Sequence, residues 1–117
     1  MTTEAQITAW LATQQDAMLA ELKEMVNTDG GSYDKAGVDR TGQQVKRFLE
    51  GQGIAVEVVP REKHGDCLRG IVPGAHEIAS GNQQKNIVLM GHLDTVFPKG
   101  EPERRPFTIQ GNIAYVP

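Results

Sequence analysis

Apolar residues recur at helical spacing through the first half of the chain. Between residues 4 and 27 they form a stripe, which predicts a helix whose stripe packs into a core. The stripe comprises Ile7, Leu11, Met18, Leu22 and Met25, with Trp10 and Leu19 beside it. A second stripe over residues 35–51 predicts a second helix, which ends at Gly51 and Gly53.

Short apolar runs replace the helical pattern beyond residue 53. A polar stretch over residues 76–85 predicts a loop, and the run Ile87–Met90 is apolar throughout. Continuous apolarity is typical of a central strand that is covered on both faces, as in a parallel sheet. The predicted strands are residues 54–59, 68–72 and 87–90, followed by a hairpin that pairs 107–109 with 113–115 across Gln110-Gly111-Asn112.

Two helices, three strands and a hairpin make an α/β protein. The order is that of the N-terminal part of a three-layer α/β/α domain with a mixed, largely parallel sheet. The two helices can cover only one face of a central strand as apolar as Ile87–Met90. We therefore expect the domain to be incomplete and to expose apolar surface, so that the chain self-associates.

Composition narrows the range of partners. The net charge of −3 and the aromatic content of 5% favour neither a nucleic-acid partner nor an anionic membrane. No apolar run has the length of a membrane span, and the first residues lack the features of a signal peptide. Cys67 is the single cysteine, which favours a reducing, cytoplasmic compartment, and we expect it to be packed.

The strongest candidates for a metal site are His92 and Asp94, which follow closely after the run Ile87–Met90. Residues two apart in a strand point to the same side, so a strand end would bring this pair together. The imidazole could bind a divalent cation while the carboxylate accepts its other N–H, or both could be ligands. His64-Gly65-Asp66 has the same spacing, but it follows a charged stretch with no strand to present it, and we expect no metal there.

Three other interpretations carry less weight. Asp94-Thr95 begins like the aspartic-protease triplet Asp-Thr-Gly, but Val96 stands where that loop needs glycine. Cys67 could act as a nucleophile near His64. A cationic loop could recognise a substrate carboxylate, although charged loops are ordinarily just solvated. Its members are Lys99, Arg104 and Arg105.

The stretch from Asn86 to Gly100, NIVLMGHLDTVFPKG, resembles the first metal motif of a zinc exopeptidase family. That family includes glutamate carboxypeptidase and aminoacylase, and its motif is an apolar strand followed by Gly/Ser-His-x-Asp-Thr-Val. Residues 106–115, PFTIQGNIAY, are similar to its next hairpin, and the two predicted helices fit its opening. The similarity is greatest to the bacterial glutamate carboxypeptidase branch.

The resemblance implies that His92 is a zinc ligand and that Asp94 serves catalysis by orienting its imidazole. It implies two zinc ions in a complete site, bridged by a carboxylate and a water or hydroxide, with a glutamate as general base. The implied reaction is hydrolysis of C-terminal glutamate or acyl-amino-acid amide bonds. Implied partners are a peptide or acyl-amino-acid substrate and, for the full-length protein, a second copy in a homodimer.

Several of the family's functional residues have no counterpart in this sequence. They are the bridging aspartate, an adjacent glutamate pair, a further carboxylate ligand and a distal histidine. We therefore expect residues 1–117 to be the N-terminal portion of the catalytic domain, without the dimerisation domain, inactive alone and holding at most one zinc ion weakly. The alternatives are a non-catalytic α/β interaction module or truncated remnant, and a structural domain in which His92 and Asp94 only bond each other.

Overall fold

The computed structural model describes residues 2–72 and 87–117. The chain forms two compact units, one of Met1–Asp29 with Gly100–Pro117 and the other of Gly30–Lys99. Helices and strands are both present, as an α/β protein requires. In chain order they are α1 (Thr3–Ala12), α2 (Gln15–Val26), α3 (Lys35–Gly51), β1 (Val56–Val59), β2 (Cys67–Gly70), α4 (Glu101–Arg104), β3 (Thr108–Gln110) and β4 (Ile113–Tyr115).

The helix predicted over residues 4–27 is two helices. The side chain of Thr2 caps α1 by accepting a hydrogen bond from the Ala5 amide at 3.2 Å. At the break, the Thr13 hydroxyl donates to the carbonyl of Trp10 at 2.6 Å, and the Thr13 amide binds the same carbonyl at 2.9 Å. Threonine competes in this way with the regular helical bond, which explains why one helix ends and another begins here.

Most of the apolar stripe of these helices is exposed, and Leu19 and Met25 are only half-buried, so its assignment to the core was wrong. Neither α1 nor α2 contains a buried residue. Trp10 is 57% exposed, and Met18 is 58% exposed. Helical periodicity identifies which face is apolar, but burial also requires a second surface to pack against that face.

Polar side chains at the end of α2 bind backbone amides of the same unit. The Asn27 carbonyl oxygen accepts from the amide of Phe107 at 2.9 Å. Both carboxylate oxygens of Asp29 accept from the amide of Gly100, at 3.1 and 3.0 Å. The Asn27 bond fixes the buried Phe107 just before the hairpin, and the Asp29 bonds fix Gly100 just before α4.

The predicted hairpin is confirmed. Strands β3 and β4 are antiparallel, with Thr108 opposite Tyr115 and Gln110 opposite Ile113. Gly111 lies in the turn with φ of +61°, a backbone conformation that residues with a Cβ rarely adopt.

Helix α3 begins and ends where the sequence predicts. The carboxylate of Asp34 caps it by accepting from the Gly37 amide at 3.0 Å, and Gly53, just beyond its end, has φ of +79°. The helix packs on β1 and β2, an antiparallel pair in which Val56 lies opposite Gly70. The residues of α3 that are buried are Gly37, Val38, Thr41 and Gly42.

The predicted parallel sheet is absent from the described residues. They contain two antiparallel pairs, β1 with β2 and β3 with β4, and a parallel contact at Gly31 and Thr95. The run Ile87–Met90 lies outside any strand, and its residues are 73% to 93% exposed. A fully apolar strand needs paired neighbours and two covering layers, and the described residues do not surround this run with them. The loop predicted over residues 76–85 lies outside the described residues.

The helices of the described residues fall short of what a bilayer span requires. Helix α3 has 17 residues and carries charged side chains along its length, including Lys35, Asp39 and Arg47. A hydrocarbon core takes about 20 consecutive residues that are mostly apolar.

Gly65→Ala should destabilise the protein. A Cβ at this position would lie 2.1 Å from Cγ1 of Val38 and 2.6 Å from its Cβ, and Val38 is buried on α3. Overpacking of this kind typically costs about 1–3 kcal/mol of the free energy of unfolding. Urea denaturation followed by circular dichroism measures the loss.

Gly51→Ala is the matched control, because a Cβ there would meet no atom within 4 Å. Alanine is a better helix former, so this change should be neutral or stabilise by up to about 1 kcal/mol. Equal stability of Gly65→Ala and the wild type would contradict the close packing of Gly65 on Val38.

Candidate metal site around His92

The His92 ring is exposed, and one of its two nitrogens is hydrogen-bonded. Its side chain is 83% exposed, and Nδ1 lies 2.7 Å from the backbone carbonyl oxygen of Asp94 and 3.3 Å from carboxylate Oδ1 of Asp94. A carbonyl oxygen can only accept a hydrogen bond, so Nδ1 must be the donor. In the neutral ring Nε2 is then the unprotonated nitrogen, which is the form that binds a metal.

Asp94 is fixed in turn by Ser32. The Ser32 hydroxyl lies 2.5 Å from carboxylate Oδ2 of Asp94 and 3.1 Å from the carbonyl oxygen of Thr95. This hydrogen bond holds the pKa of Asp94 below its ordinary value, and the nearby His92 ring lowers it further. Asp94 is therefore ionised at neutral pH.

A backbone bridge brings Ser32 to Asp94. The Thr95 amide donates to the carbonyl of Gly30 at 2.8 Å, and the Ser32 amide donates to the carbonyl of Thr95 at 3.0 Å. A Cβ on Gly31 would lie 2.9 Å from the Phe97 carbonyl oxygen, so the two segments approach too closely for a side chain.

The sequence predicted that His92 and Asp94 converge at a strand end through the carboxylate of Asp94. The structure brings the two residues together without a strand, and the backbone carbonyl of Asp94 lies closer to the ring than the carboxylate does. Sequence reasoning missed Ser32, which is 62 residues away from Asp94 along the chain. The available signal was the Gly30-Gly31-Ser32 turn between two predicted helices, since two glycines allow close backbone approach and serine supplies a hydroxyl.

The second motif of the same spacing, His64-Gly65-Asp66, is arranged differently. Carboxylate Oδ1 of Asp66 accepts from Lys35 Nζ at 2.7 Å and from the Arg61 amide at 2.8 Å. The Lys35 hydrogen bond is the larger cause of the lowered pKa of Asp66, and the Arg61 amide adds to it. His64 Nδ1 lies 3.4 Å from the carbonyl oxygen of Ser32.

One pocket of about 670 Å³ is lined by parts of both motifs. His64 and Asp66 line it together with His92 and Asp94, while Val38, Val45 and Leu49 of α3 supply apolar wall. Cys67 also lines it and is exposed, so the expectation that this cysteine is packed was wrong. Among residues 2–72 and 87–117, no cluster of three or more histidine, cysteine, aspartate or glutamate side chains is placed to hold a metal.

Two of the three candidate substrate-binding cations are paired with a carboxylate of α4, a short helix in the segment that the sequence predicts to be a loop. Glu101 is 3% exposed, and its carboxylate accepts from Arg104 Nη2 at 2.8 Å and from Nε of Arg105. The Arg104 hydrogen bond is the main cause of the lowered pKa of Glu101, followed by that of Arg105. Pairing with Glu101 offsets the charge that would attract a substrate carboxylate.

Comparison with known proteins gives a partial match to a peptidase. Carboxypeptidase G2 of Pseudomonas sp. (strain RS-16) is 32% identical to this chain over 106 residues, which are 89% of this chain and 24% of that protein. The chain thus spans about a quarter of the length of the curated relative that it matches. No protein-family model matches it. This match supports an origin in a carboxypeptidase-like hydrolase family, but it does not identify a particular member of that family.

Lys35→Met should make the free energy of unfolding depend less on pH in the acid range. Asp66 has a pKa below its ordinary value of 3.8, so its contribution is complete above that value and is lost as the pH falls through the lowered pKa. Without the hydrogen bond from Lys35, the pKa of Asp66 lies closer to its ordinary value. The free energy of unfolding should therefore fall less than in the wild type between about pH 6 and pH 2, as urea denaturation would measure.

Lys63→Met is the control, because it removes the same charge from an exposed side chain that forms no ion pair with the described residues. It should keep the wild-type dependence on pH. If Lys35→Met has the same acid slope as Lys63→Met, the interaction of Lys35 with Asp66 does not contribute as we expect.

Proposed function

We propose that this chain is the N-terminal part of the catalytic domain of a dinuclear zinc carboxypeptidase or amidohydrolase, which cleaves C-terminal glutamate or acyl-amino-acid amide bonds. The observation that carries the proposal is the held imidazole of His92, whose Nδ1 donates to Asp94 at 2.7 Å and leaves Nε2 as the metal-binding nitrogen. The partial match to a carboxypeptidase supports the same reaction class.

The groups around His92 suit one ligand position of a zinc site. Zinc ligands in proteins are commonly histidines whose other ring N–H is bound by a carbonyl or carboxylate, which fixes the tautomer and raises the basicity of the ligand. Asp94 offers both kinds of acceptor, its carbonyl at 2.7 Å and Oδ1 at 3.3 Å from Nδ1. A bound zinc ion would supply Lewis-acid polarisation of the scissile amide carbonyl.

His92 and Asp94 have distinct tasks in this proposal. His92 binds the metal through Nε2. Asp94 keeps the proton on Nδ1 and holds the plane of the ring, and its ionised carboxylate stabilises the positive charge that accumulates on a liganded imidazole. The exposure of His92, at 83% of its side chain, leaves room for further ligands and for substrate.

The remaining ligands, the general base and the dimerisation domain belong, in this proposal, to parts of the enzyme outside this chain. A catalytic zinc site uses three protein ligands, and residues 2–72 and 87–117 contain no cluster of that size. The substrate is then a peptide or acyl-amino acid bound by the complete protein, which acts as a homodimer in the cytoplasm.

A non-catalytic interaction module is the second candidate. The observation that favours it is the apolar run Ile87–Met90, in which Leu89 is 93% exposed and Met90 is 91% exposed. Apolar surface of this kind is more often an interface than free surface. This candidate requires no metal at His92, so a zinc titration separates the two functions.

Zinc should bind the chain weakly and at His92. Titration of the 117-residue protein with zinc, followed by NMR of the histidine rings, should shift the His92 ring resonances in fast exchange because one imidazole and one carboxylate make an incomplete site. His92→Ala should abolish the response.

His64→Ala is the matched control, since it removes an exposed imidazole from the same pocket and should leave the His92 response intact. A tight stoichiometric site by calorimetry, or a zinc response that survives His92→Ala, would contradict the proposed site.

The isolated chain should be inactive. With zinc in excess, the purified 117-residue protein should not hydrolyse an N-acyl-glutamate or a peptide ending in glutamate, because it supplies one histidine and one carboxylate where hydrolysis needs a full ligand set and a general base. Zinc-dependent release of glutamate above that of a His92→Ala control would show that the chain is sufficient for catalysis.

A further inference from the structure

Ser32 connects the loop between α2 and α3 to the candidate metal site. Its hydroxyl lies 2.5 Å from Oδ2 of Asp94, the short separation expected when a hydroxyl donates to an ionised carboxylate. The other oxygen of this carboxylate, Oδ1, lies 3.3 Å from Nδ1 of His92. One carboxylate therefore contacts the serine with one oxygen and approaches the imidazole with the other.

We infer that Ser32 is a positioning residue for His92 and that it acts through Asp94, an inference that rests on the proposed zinc site. An aspartate side chain that is 43% exposed can rotate about its last torsion and turn its oxygens to water. The hydrogen bond from Ser32 holds Oδ2, so Oδ1 stays beside the imidazole before a metal arrives. A ligand oriented in advance loses less freedom on binding, which strengthens binding.

The serine hydroxyl is not needed to hold the two segments together. The Ser32 amide donates to the Thr95 carbonyl at 3.0 Å, and the Thr95 amide donates to the Gly30 carbonyl at 2.8 Å. These two backbone bonds survive replacement of the side chain. The hydroxyl also lies 3.1 Å from the Thr95 carbonyl oxygen, however, so the experiment must separate an effect through Asp94 from an effect on the loop.

The first comparison is between Ser32→Ala and Ser32→Thr in the 117-residue chain. Zinc titrations followed at the His92 ring should give an apparent Kd that is about 10-fold weaker for Ser32→Ala, the usual effect of removing a group that orients a metal ligand. Ser32→Thr keeps the hydroxyl and should restore the wild-type Kd. An unchanged Kd in Ser32→Ala, or no rescue by threonine, would overturn the inference.

The second comparison places Ser32→Ala in an Asp94→Ala background. If the hydroxyl acts through the carboxylate, Asp94→Ala alone and the double variant should have the same zinc Kd, since Ser32 then has nothing to orient. If the double variant binds zinc more weakly than Asp94→Ala by the same factor that Ser32→Ala costs alone, Ser32 acts through the Thr95 carbonyl or the loop, and the inference is wrong.

Two further results keep the test decisive. If Ser32→Ala does not fold by circular dichroism, Ser32→Cys replaces it, because a thiol has similar size and is a weak donor. Its Kd should be weaker than that of the wild type. A wild-type chain whose His92 resonances do not respond to zinc would overturn the proposed site itself, whereas a normal wild-type response with an unchanged Ser32→Ala would overturn only the role of Ser32.

Discussion

The candidate site depends on a short backbone bridge between two segments that are distant in sequence. Two hydrogen bonds join Gly30 and Ser32 to Thr95, at 2.8 and 3.0 Å. They fix the position of Asp94, the residue before Thr95, and Asp94 fixes the ring of His92. An exposed imidazole thus acquires a defined tautomer and orientation although little of its own surface is packed.

Order in this region comes from polar contacts more than from apolar burial. Val38 and Phe107 are the buried hydrophobic residues among those described, whereas many apolar side chains are exposed. Fixed geometry around His92 is supplied by the backbone bridge, by the Ser32 hydroxyl and by the carbonyl of Asp94. Because hydrogen bonds are directional, a few of them can orient a ligand even where the apolar core is small.

Local sequence signals predicted the parts of the fold that local forces determine. Helix α3 has a capping aspartate, a regular stripe and glycines at its end, and the hairpin has a glycine with positive φ in its turn. The proximity of His92 and Asp94 was predicted from a strand end, whereas in the structure residues 87–90 before them form no strand and the shorter contact of the ring is with the backbone carbonyl of Asp94. The break between α1 and α2 was not predicted, because the Thr13 hydroxyl competes for a helical carbonyl and the spacing of apolar residues carries no sign of that competition.

The parts that sequence reasoning missed depend on distant contacts. A continuous apolar run such as Ile87–Met90 predicts burial, but burial needs neighbouring strands and helices that the run cannot specify. Ser32 could not be assigned to Asp94 from spacing, because the turn that brings them together closes a segment of more than 60 residues.

Gly31 has a consequence for how this chain can diverge. The Phe97 carbonyl oxygen lies 2.9 Å from where a Cβ would be, and this contact is beside the bridge and outside α3. Any larger residue would push the bridge apart while leaving the helix intact. A substitution at this position therefore disturbs the contact that orients Asp94 and His92 before it disturbs α3.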